Sequence, residues 1–387
     1  MNTDLLVGVV GAGAMGAGIA QVAALAGHRV VVADSQAAAV FRARDAHRAA
    51  FAMLVGKGKL TADQAAAAEA RLTYVEGTED LFMFAPCGLV IEAVVEKLDV
   101  KRLLFAALEK VVTPTAILAS NTSSLSIAAI GGGSANPERV VGLHFFNPAA
   151  VMPLVEVIAD TQADYLCDLM RAWGKVPVRA SDTPGFIVNR VARPFYGEAL
   201  RIHDEGIADV ATIDWAMRSV GGFKMGPFEL MDFIGHDVNF AVTSSVYAAM
   251  FYDPRYRPSH TQQRLLESGR LGRKTGRGFY SYAEGAERPA ATEDASVGQA
   301  IVDRVVNMLI NEAVDAVYMG VASPADMELA MTKGVNYPRG LLSWGDELGA
   351  RTVLARIDAL YDEYHEDRYR ASPLLRRVAR LGGKLLP

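Results

Sequence analysis

The chain has 387 residues, with 39 lysines and arginines against 44 aspartates and glutamates, a formal charge of −5. At 51% hydrophobic and 21% charged residues it has enough apolar material for large cores, which excludes a disordered chain and suggests two or three domains. The acidic balance, without any long Lys/Arg block, argues against nucleic acid as a partner, and only two cysteines, Cys87 and Cys167, exclude a disulfide scaffold and indicate a reducing compartment.

Residues 5–27 carry no charge over 23 positions, long enough in principle to span a bilayer. Six of those positions are glycine, and the residues before Leu5 offer only Asp4 where a signal peptide needs positive charge. A buried strand at 5–10, a glycine-rich turn and a helix at 15–25 account for the segment better. The protein is therefore expected to be soluble and cytoplasmic, with no membrane association.

A second strand follows at 29–33, then helices at 37–55 and 62–71. Apolar runs at 89–91, 116–119, 140–143, 154–158 and 176–178 read as further strands, with a helix at 100–112 between the first two. Alternating strands and helices predict a parallel α/β sheet of Rossmann type over residues 1–183. After Asp182-Thr-Pro-Gly185 the pattern turns helical, at 187–205, 210–219 and 228–251, in a first all-α domain spanning 184–284. A basic, glycine-rich loop lies at 269–278 and a polar linker at 285–293.

Beyond the linker the chain repeats itself. At an offset of 114, Arg190 meets Arg304, Glu198 meets Glu312, Gly206 meets Gly320, Gly226 meets Gly340, Asp232 meets Asp346 and Gly235 meets Gly349. One deletion shifts the offset to 113, and Arg255-Tyr256-Arg257 then meets Arg368-Tyr369-Arg370. Shared helix breakers in constant register indicate a diverged second copy of the all-α domain, residues 294–387.

Gly11-Ala12-Gly13-Ala14-Met15-Gly16 stands directly after the first strand and opens a helix. The glycines permit a tight turn, close approach of a pyrophosphate and close helix packing, and the helix N-terminus presents free N–H groups to phosphate. Asp34, at the end of the second strand, suits the ribose hydroxyls of NAD and would repel the 2′-phosphate of NADP.

Two further segments sit where parallel strands end, Ser120-Asn-Thr-Ser-Ser124 and His144-Phe-Phe-Asn-Pro148. A histidine near neutral pKa suits removal of a hydroxyl proton, and a carboxylate beside it fixes its tautomer. Glu156 lies in the apolar run Leu154-Val-Glu-Val-Ile158, where a lone carboxylate is costly, and His144 is the partner assigned to it. None of the seven histidines shows metal-ligand spacing, so no metal site is expected.

With these motifs, and with Ile91-Glu-Ala-Val-Val-Glu96, Asp182-Thr-Pro-Gly-Phe-Ile-Val-Asn-Arg190 and Lys274-Thr-Gly-Arg-Gly-Phe-Tyr280, the chain resembles the (S)-3-hydroxyacyl-CoA dehydrogenases. The resemblance implies His144 as base, supported by Glu156, with Ser123 and Asn189 on the reacting oxygen. For NAD it implies the turn Gly11–Gly16, Asp34, Glu96, Lys101, Asn147 and Lys274. For the acyl-CoA substrate it implies Ser123 and Lys57, while a serine of the family's CoA site falls here on Ala50. Family members with a single helical domain dimerise through it, so the second copy is expected to pack on the first as an intrachain pseudo-dimer, with higher oligomers still open. A four-carbon or a six-carbon dicarboxylic 3-hydroxyacyl-CoA is favoured, in fatty-acid or phenylacetate-type aromatic catabolism. The alternatives are a free sugar-acid dehydrogenase and a non-catalytic NAD-binding relative.

Overall fold

The computed structural model describes residues 4–78 and 81–386, in two compact units, Met1–Asp182 and Thr183–Pro387. In the first unit, β1 (Val7–Val10), α1 (Ala14–Leu25), β2 (Val30–Asp34), α2 (Ala37–Gly56), α3 (Ala62–Ala70) and β3 (Leu72–Glu76) come first. They are followed by β4 (Leu89–Glu92), α4 (Leu98–Val111), β5 (Ile117–Ser120), α5 (Ile127–Gly131), β6 (Val140–Phe145), β7 (Leu154–Ile158), α6 (Ala163–Ala172) and β8 (Val176–Arg179). The eight strands form one sheet in the order β3-β2-β1-β4-β5-β6-β7-β8. β1 and β4 are buried along their whole length, as a sheet covered on both faces requires. Val7, Val9 and Ile91 belong to the same core cluster as Ile19 and Ala23 of α1.

Two features differ from the sequence expectation. β3 was not foreseen. Leu-Thr-Tyr-Val-Glu has a single fully buried residue because the strand closes one edge of the sheet, so it lacks the apolar run of a central strand. The sheet is also mixed, since β7 runs antiparallel to β6. Only residues 146–153 separate the two strands, and a parallel crossover needs a dozen or more.

The second unit begins with α7 (Val188–Val191), α8 (Arg193–Asp204), α9 (Val210–Trp215), α10 (Pro227–Ile234), α11 (His236–Ala249) and α12 (His260–Glu267). The helix expected at 187–205 is interrupted at Ala192, because Pro194 has no N–H to continue the ladder. The helix expected at 228–251 breaks at Gly235, with φ +100°. There a side chain would also collide with Lys274, whose Nζ would lie 2.7 Å from a Cβ. The stretch expected as one helix at 210–219 is α9 followed by a π-helical turn, Ala216–Val220.

The second copy supplies α13 (Ala295–Tyr318), α14 (Pro324–Leu329), α15 (Leu341–Leu348), α16 (Ala350–Tyr364) and α17 (Pro373–Leu381). Even the π-helical turn recurs, at Ala330–Gly334. The single deletion falls in the turn after α11, where Phe251 and Tyr252 both have positive φ while His365 alone does so after α16.

The copies meet through reciprocal contacts between buried groups. Arg190 Nε donates to Glu312 Oε1 at 2.7 Å, and its counterpart Arg304 donates to Glu198 Oε2 at 3.1 Å. Arg255 Nη1 donates to Glu312 at 3.2 Å and Arg368 Nη1 to Glu198 at 2.8 Å. The hydroxyls of Tyr256 and Tyr369 donate to Glu312 and Glu198 at 2.6 and 3.0 Å. A contact in which i meets j′ and j meets i′ is the signature of a two-fold axis, here within one chain. Both carboxylates are fully buried, and each is compensated by two guanidinium groups and a phenol.

Candidate active site

The carboxyl ends of β1, β4, β5 and β6 carry the polar groups of the first unit. Gly11 follows β1 with φ +101°, and a Cβ on it would stand 2.4 Å from the Ala93 carbonyl. A Cβ on Gly16 would stand 1.8 Å from the Gly11 carbonyl, so both positions exclude any side chain. Around Gly13, which caps α1, nothing lies within 4 Å of the space a Cβ would take. An open, side-chain-free helix N-terminus fits the pyrophosphate of a dinucleotide. Asp34 closes the same turn, its Oδ2 accepting from the Ala12 N–H at 2.7 Å and its Oδ1 from the Gln36 N–H at 2.9 Å. Each oxygen keeps a lone pair for a ribose hydroxyl. Ala14 and Met15 form the first turn of α1.

The antiparallel pairing of β6 and β7 sets His144 directly opposite Glu156. His144 Nδ1 and Glu156 Oε2 are 2.6 Å apart, with the carboxylate fully buried and the ring 6% exposed. A neutral ring that donates from Nδ1 carries its lone pair on Nε2, where a base can work. The tertiary detail that the sequence did not reveal, the reversal of β7, therefore builds the pair that the sequence did reveal. Asn121, just after β5, supports it, its Oδ1 accepting the Phe145 N–H at 2.8 Å.

Glu96 gathers the loop that carries Ser123. Its Oε1 accepts from the Thr122 hydroxyl at 2.5 Å and from the Ser123 and Ser124 N–H groups at 3.0 and 3.2 Å. Burial pushes the Glu96 carboxyl up, but Lys101, the Thr122 hydroxyl and the Ser123 N–H outweigh it and hold the pKa below the ordinary value. Lys101 is buried, 2.6 Å from Glu92 and 3.1 Å from Glu96, and Glu92 also accepts from Ser120 Oγ at 2.6 Å. Glu92 and Ser120 fall inside motifs named from the sequence, but neither was assigned a role there. A carboxylate closing the apolar run 89–91 was the available signal, the same one that marked Glu156.

Asp182 binds the start of α5, accepting from Ser126 Oγ and from the Ile127 and Ala128 N–H groups. Ser126, not Ser123, is the N-cap of α5. Asn147 is exposed and precedes a cis proline, Pro148. Lys57 is exposed just past the end of α2, the helix that carries Ala50. Asn189 and Lys274 belong to the second unit. Asn189 lies inside α7, whose N-cap is Ile187, so it does not serve as a cap. Lys274 is half-exposed and pairs with Asp237. Cys87 and Cys167 are both buried, and burial pushes the Cys87 thiol up to about 12, far from a reactive thiolate. Among the described residues no helix is long and apolar enough to cross a membrane.

A histidine held by a carboxylate at the same strand ends as a glycine-lined dinucleotide turn is the arrangement of a nicotinamide-dependent dehydrogenase. Comparison with known proteins narrows the class. The family profile described as 3-hydroxyacyl-CoA dehydrogenase, NAD binding domain, matches residues 6–183. The profile of the C-terminal domain of the same family matches twice, over 185–282 and 301–384. The chain belongs to the 3-hydroxyacyl-CoA dehydrogenase family of NAD-dependent oxidoreductases.

It is 40% identical to the 3-hydroxyadipyl-CoA dehydrogenase of Escherichia coli K12, over 97% of each chain. It is 39% identical to human mitochondrial hydroxyacyl-coenzyme A dehydrogenase, over 71% of this chain and 90% of that one. The crystal structure of 3-hydroxybutyryl-CoA dehydrogenase from Escherichia coli K12 superposes with a TM-score of 0.92 at 40% identity, covering 98% of this chain and 99% of that one.

Proposed function

We propose that the chain oxidises (S)-3-hydroxyacyl-CoA to 3-oxoacyl-CoA, and runs the reverse reaction with NADH, using His144 as the general base. The observation that carries this reading is the 2.6 Å contact between His144 Nδ1 and buried Glu156. Nε2 of His144 takes the proton of the 3-hydroxyl group, and Glu156 stabilises the imidazolium that results. NAD supplies the acceptor for the hydride that leaves C3. Ser123 and Asn189 donate hydrogen bonds to the reacting oxygen, which steadies it as its charge changes. The cofactor is held by the turn Gly11–Gly16, Asp34, Glu96 and Lys101, with Asn147 near the nicotinamide end and Lys274 reaching it from the C-terminal loop, and Lys57 contacts the CoA portion.

The substrate is a four-carbon or a six-carbon dicarboxylic acyl-CoA in fatty-acid or aromatic-acid β-oxidation. The range is supported by the names given to matches from Escherichia coli K12, a curated sequence named for 3-hydroxyadipyl-CoA and a crystal structure named for 3-hydroxybutyryl-CoA. NADH consumption with acetoacetyl-CoA tests the reading directly. His144→Gln should lower kcat on the order of 10²–10⁴-fold, and unchanged turnover by that variant would remove His144 from the mechanism. An enzyme of free sugar acids would need no CoA site, so absence of competitive inhibition by CoA would point there instead.

A further inference from the structure

Arg193, the first residue of α8, is only 7% exposed, and among the described residues no carboxylate pairs with it. Its Nη1 donates to Thr243 Oγ1 at 3.0 Å, its guanidinium lies 4.9 Å from the centre of the Tyr196 ring, and its buried Nε has no hydrogen-bond partner. Burial draws its pKa down, opposed only by the rings of Tyr196 and Tyr337. A buried cation without a counter-charge is costly, and proteins ordinarily avoid it. Arg193 lines a cavity of about 300 Å³ between the two helical copies. The other buried arginines of that cavity are already neutralised, Arg255 by Glu312 and Asp315 and Arg368 by Glu198. Arg201 is held through both terminal nitrogens by Glu366, at 2.6 and 2.8 Å.

The second copy shows what this region becomes when it has only to pack. At the equivalent positions Arg193 is replaced by Asn307, Asn239 by Val353, Thr243 by Ile357 and Gln262 by Leu375, and all four replacements are buried. An uncharged and largely apolar solution to the same packing problem therefore exists in the same chain. The first copy instead keeps Arg193 and Thr243, and the buried pair Gln262–Asn239 beside them.

We propose that this cavity is a carboxylate-binding site whose charge is supplied by Arg193, with Thr243 and Tyr196 orienting the guanidinium. Two sources offer that chemistry, the distal carboxylate of a dicarboxylic acyl chain and a free carboxylate anion. The first is suggested by position, since Arg193 opens α8 only four residues beyond Asn189, and it rests on the dehydrogenase reading above.

The test uses the full-length chain as wild type, Arg193→Met, Arg193→Lys and Thr243→Val. The first arm measures the ratio of kcat/KM for a six-carbon dicarboxylic 3-oxoacyl-CoA to that for its six-carbon monocarboxylic analogue. The second measures the thermal shift produced by adipate without any CoA compound. If the carboxylate is substrate-borne, wild type favours the dicarboxylic substrate. Arg193→Met then lowers the ratio roughly 10- to 100-fold, as for loss of a charged hydrogen bond, while Arg193→Lys keeps part of it. If the carboxylate is free, the ratio is near one, yet adipate raises the Tm of wild type and not that of Arg193→Met. A wild-type ratio near one with no adipate shift overturns the site, as does a folded Arg193→Met whose ratio and shift both match wild type. Should Arg193→Met fail to fold, Arg193→Lys and Thr243→Val decide by the same two readings. Failure of the dehydrogenase reading is separately visible, as a wild type that reduces neither CoA substrate, and the adipate arm still judges the cavity.

Discussion

Residues 185–282 and 301–384 both match the C-terminal domain of the family and have kept different things. Both retain the groups that hold one copy to the other, Glu198 and Glu312 with their arginines and tyrosines. Both retain the carboxylates that cap internal helices. Asp214 accepts from the Phe228 and Glu229 N–H groups, and at the equivalent place Glu328 accepts from those of Leu342 and Ser343. Gly226 and Gly340 persist for that reason, since a Cβ on either would stand 2.2 or 1.8 Å from the capping carboxylate. The difference lies elsewhere, in the polar cluster around Arg193, in Asn189 and in Lys274, which the second copy lacks. Packing constraints act on both copies alike, whereas ligand constraints act on one, and their divergence separates the two kinds of residue without any other sequence.

The largest expected effect comes from removing one partner. A chain ending at residue 284 leaves Arg190, Arg255 and Glu198 without their opposite numbers, on an apolar face that α13 otherwise covers. Two such chains can restore the contacts by pairing Arg190 of one with Glu198 of the other. We expect the truncated protein to be dimeric or insoluble. Sedimentation showing a soluble, fully active monomer would break the comparison at its root.

Next come the two central carboxylates. Glu198→Ala and Glu312→Ala should each destabilise by about 3 kcal/mol, the lower end for a broken buried ion pair, because Arg190 and Arg255 keep Asp315 and Arg304 keeps Glu205. The expectation specific to the two-fold arrangement is that the two losses agree within about 1 kcal/mol in denaturant titrations at neutral pH. A difference of several kcal/mol would show that the symmetry of contacts is not one of energies.

A smaller effect should sharpen the asymmetry. Glu205 accepts from Arg201, Arg304 and Tyr364, while its counterpart Met319 is exposed and makes no such bridge. Burial opposes the charge of Glu205, but hydrogen bonds from Arg304, Arg201 and Tyr364 outweigh it and bring its pKa down to about 2. A carboxylate lowered on folding adds stability above its unfolded pKa, here about 4.5, and loses it as pH falls towards about 2. Glu205→Gln should therefore cost about 0.5–1 kcal/mol at pH 7, solvent screening the pair at this exposed position, and progressively less from pH 4.5 downwards. Met319→Ala should stay within about 0.5 kcal/mol at either pH. A Glu205→Gln deficit independent of pH would mean that the side chain acts by packing and not by charge.

Much of this was legible because the signals were local. The turn Gly11–Gly16 and Asp34 stand within one βαβ unit, and a carboxylate in an apolar strand announced that Glu156 needed a partner. The repeat was visible because helix breakers such as Gly235 and Gly349 answer to backbone conformation, which neighbours cannot supply. Helix ends inside the second unit were less legible. The breaks at Ala192 and Gly235 depend on one proline and one glycine within strongly helical runs, and periodicity reads through both.

What the sequence by itself determined, then, is the alternation of elements, the glycine-rich turn, the partners of the His144–Glu156 pair and the duplication, since each depends on neighbours close in the chain or on identity between copies. Only the tertiary structure decided that β7 runs antiparallel and so places Glu156 opposite His144, and that Lys101 turns inward to Glu92 and Glu96. It likewise decided that Arg193 is buried without a carboxylate partner while the other buried arginines of its cavity, Arg255 and Arg368, each have one. Charge compensation is settled between groups brought together from distant parts of the chain, up to 171 positions apart for Tyr369 and Glu198, and no local pattern of residues encodes which of them will meet.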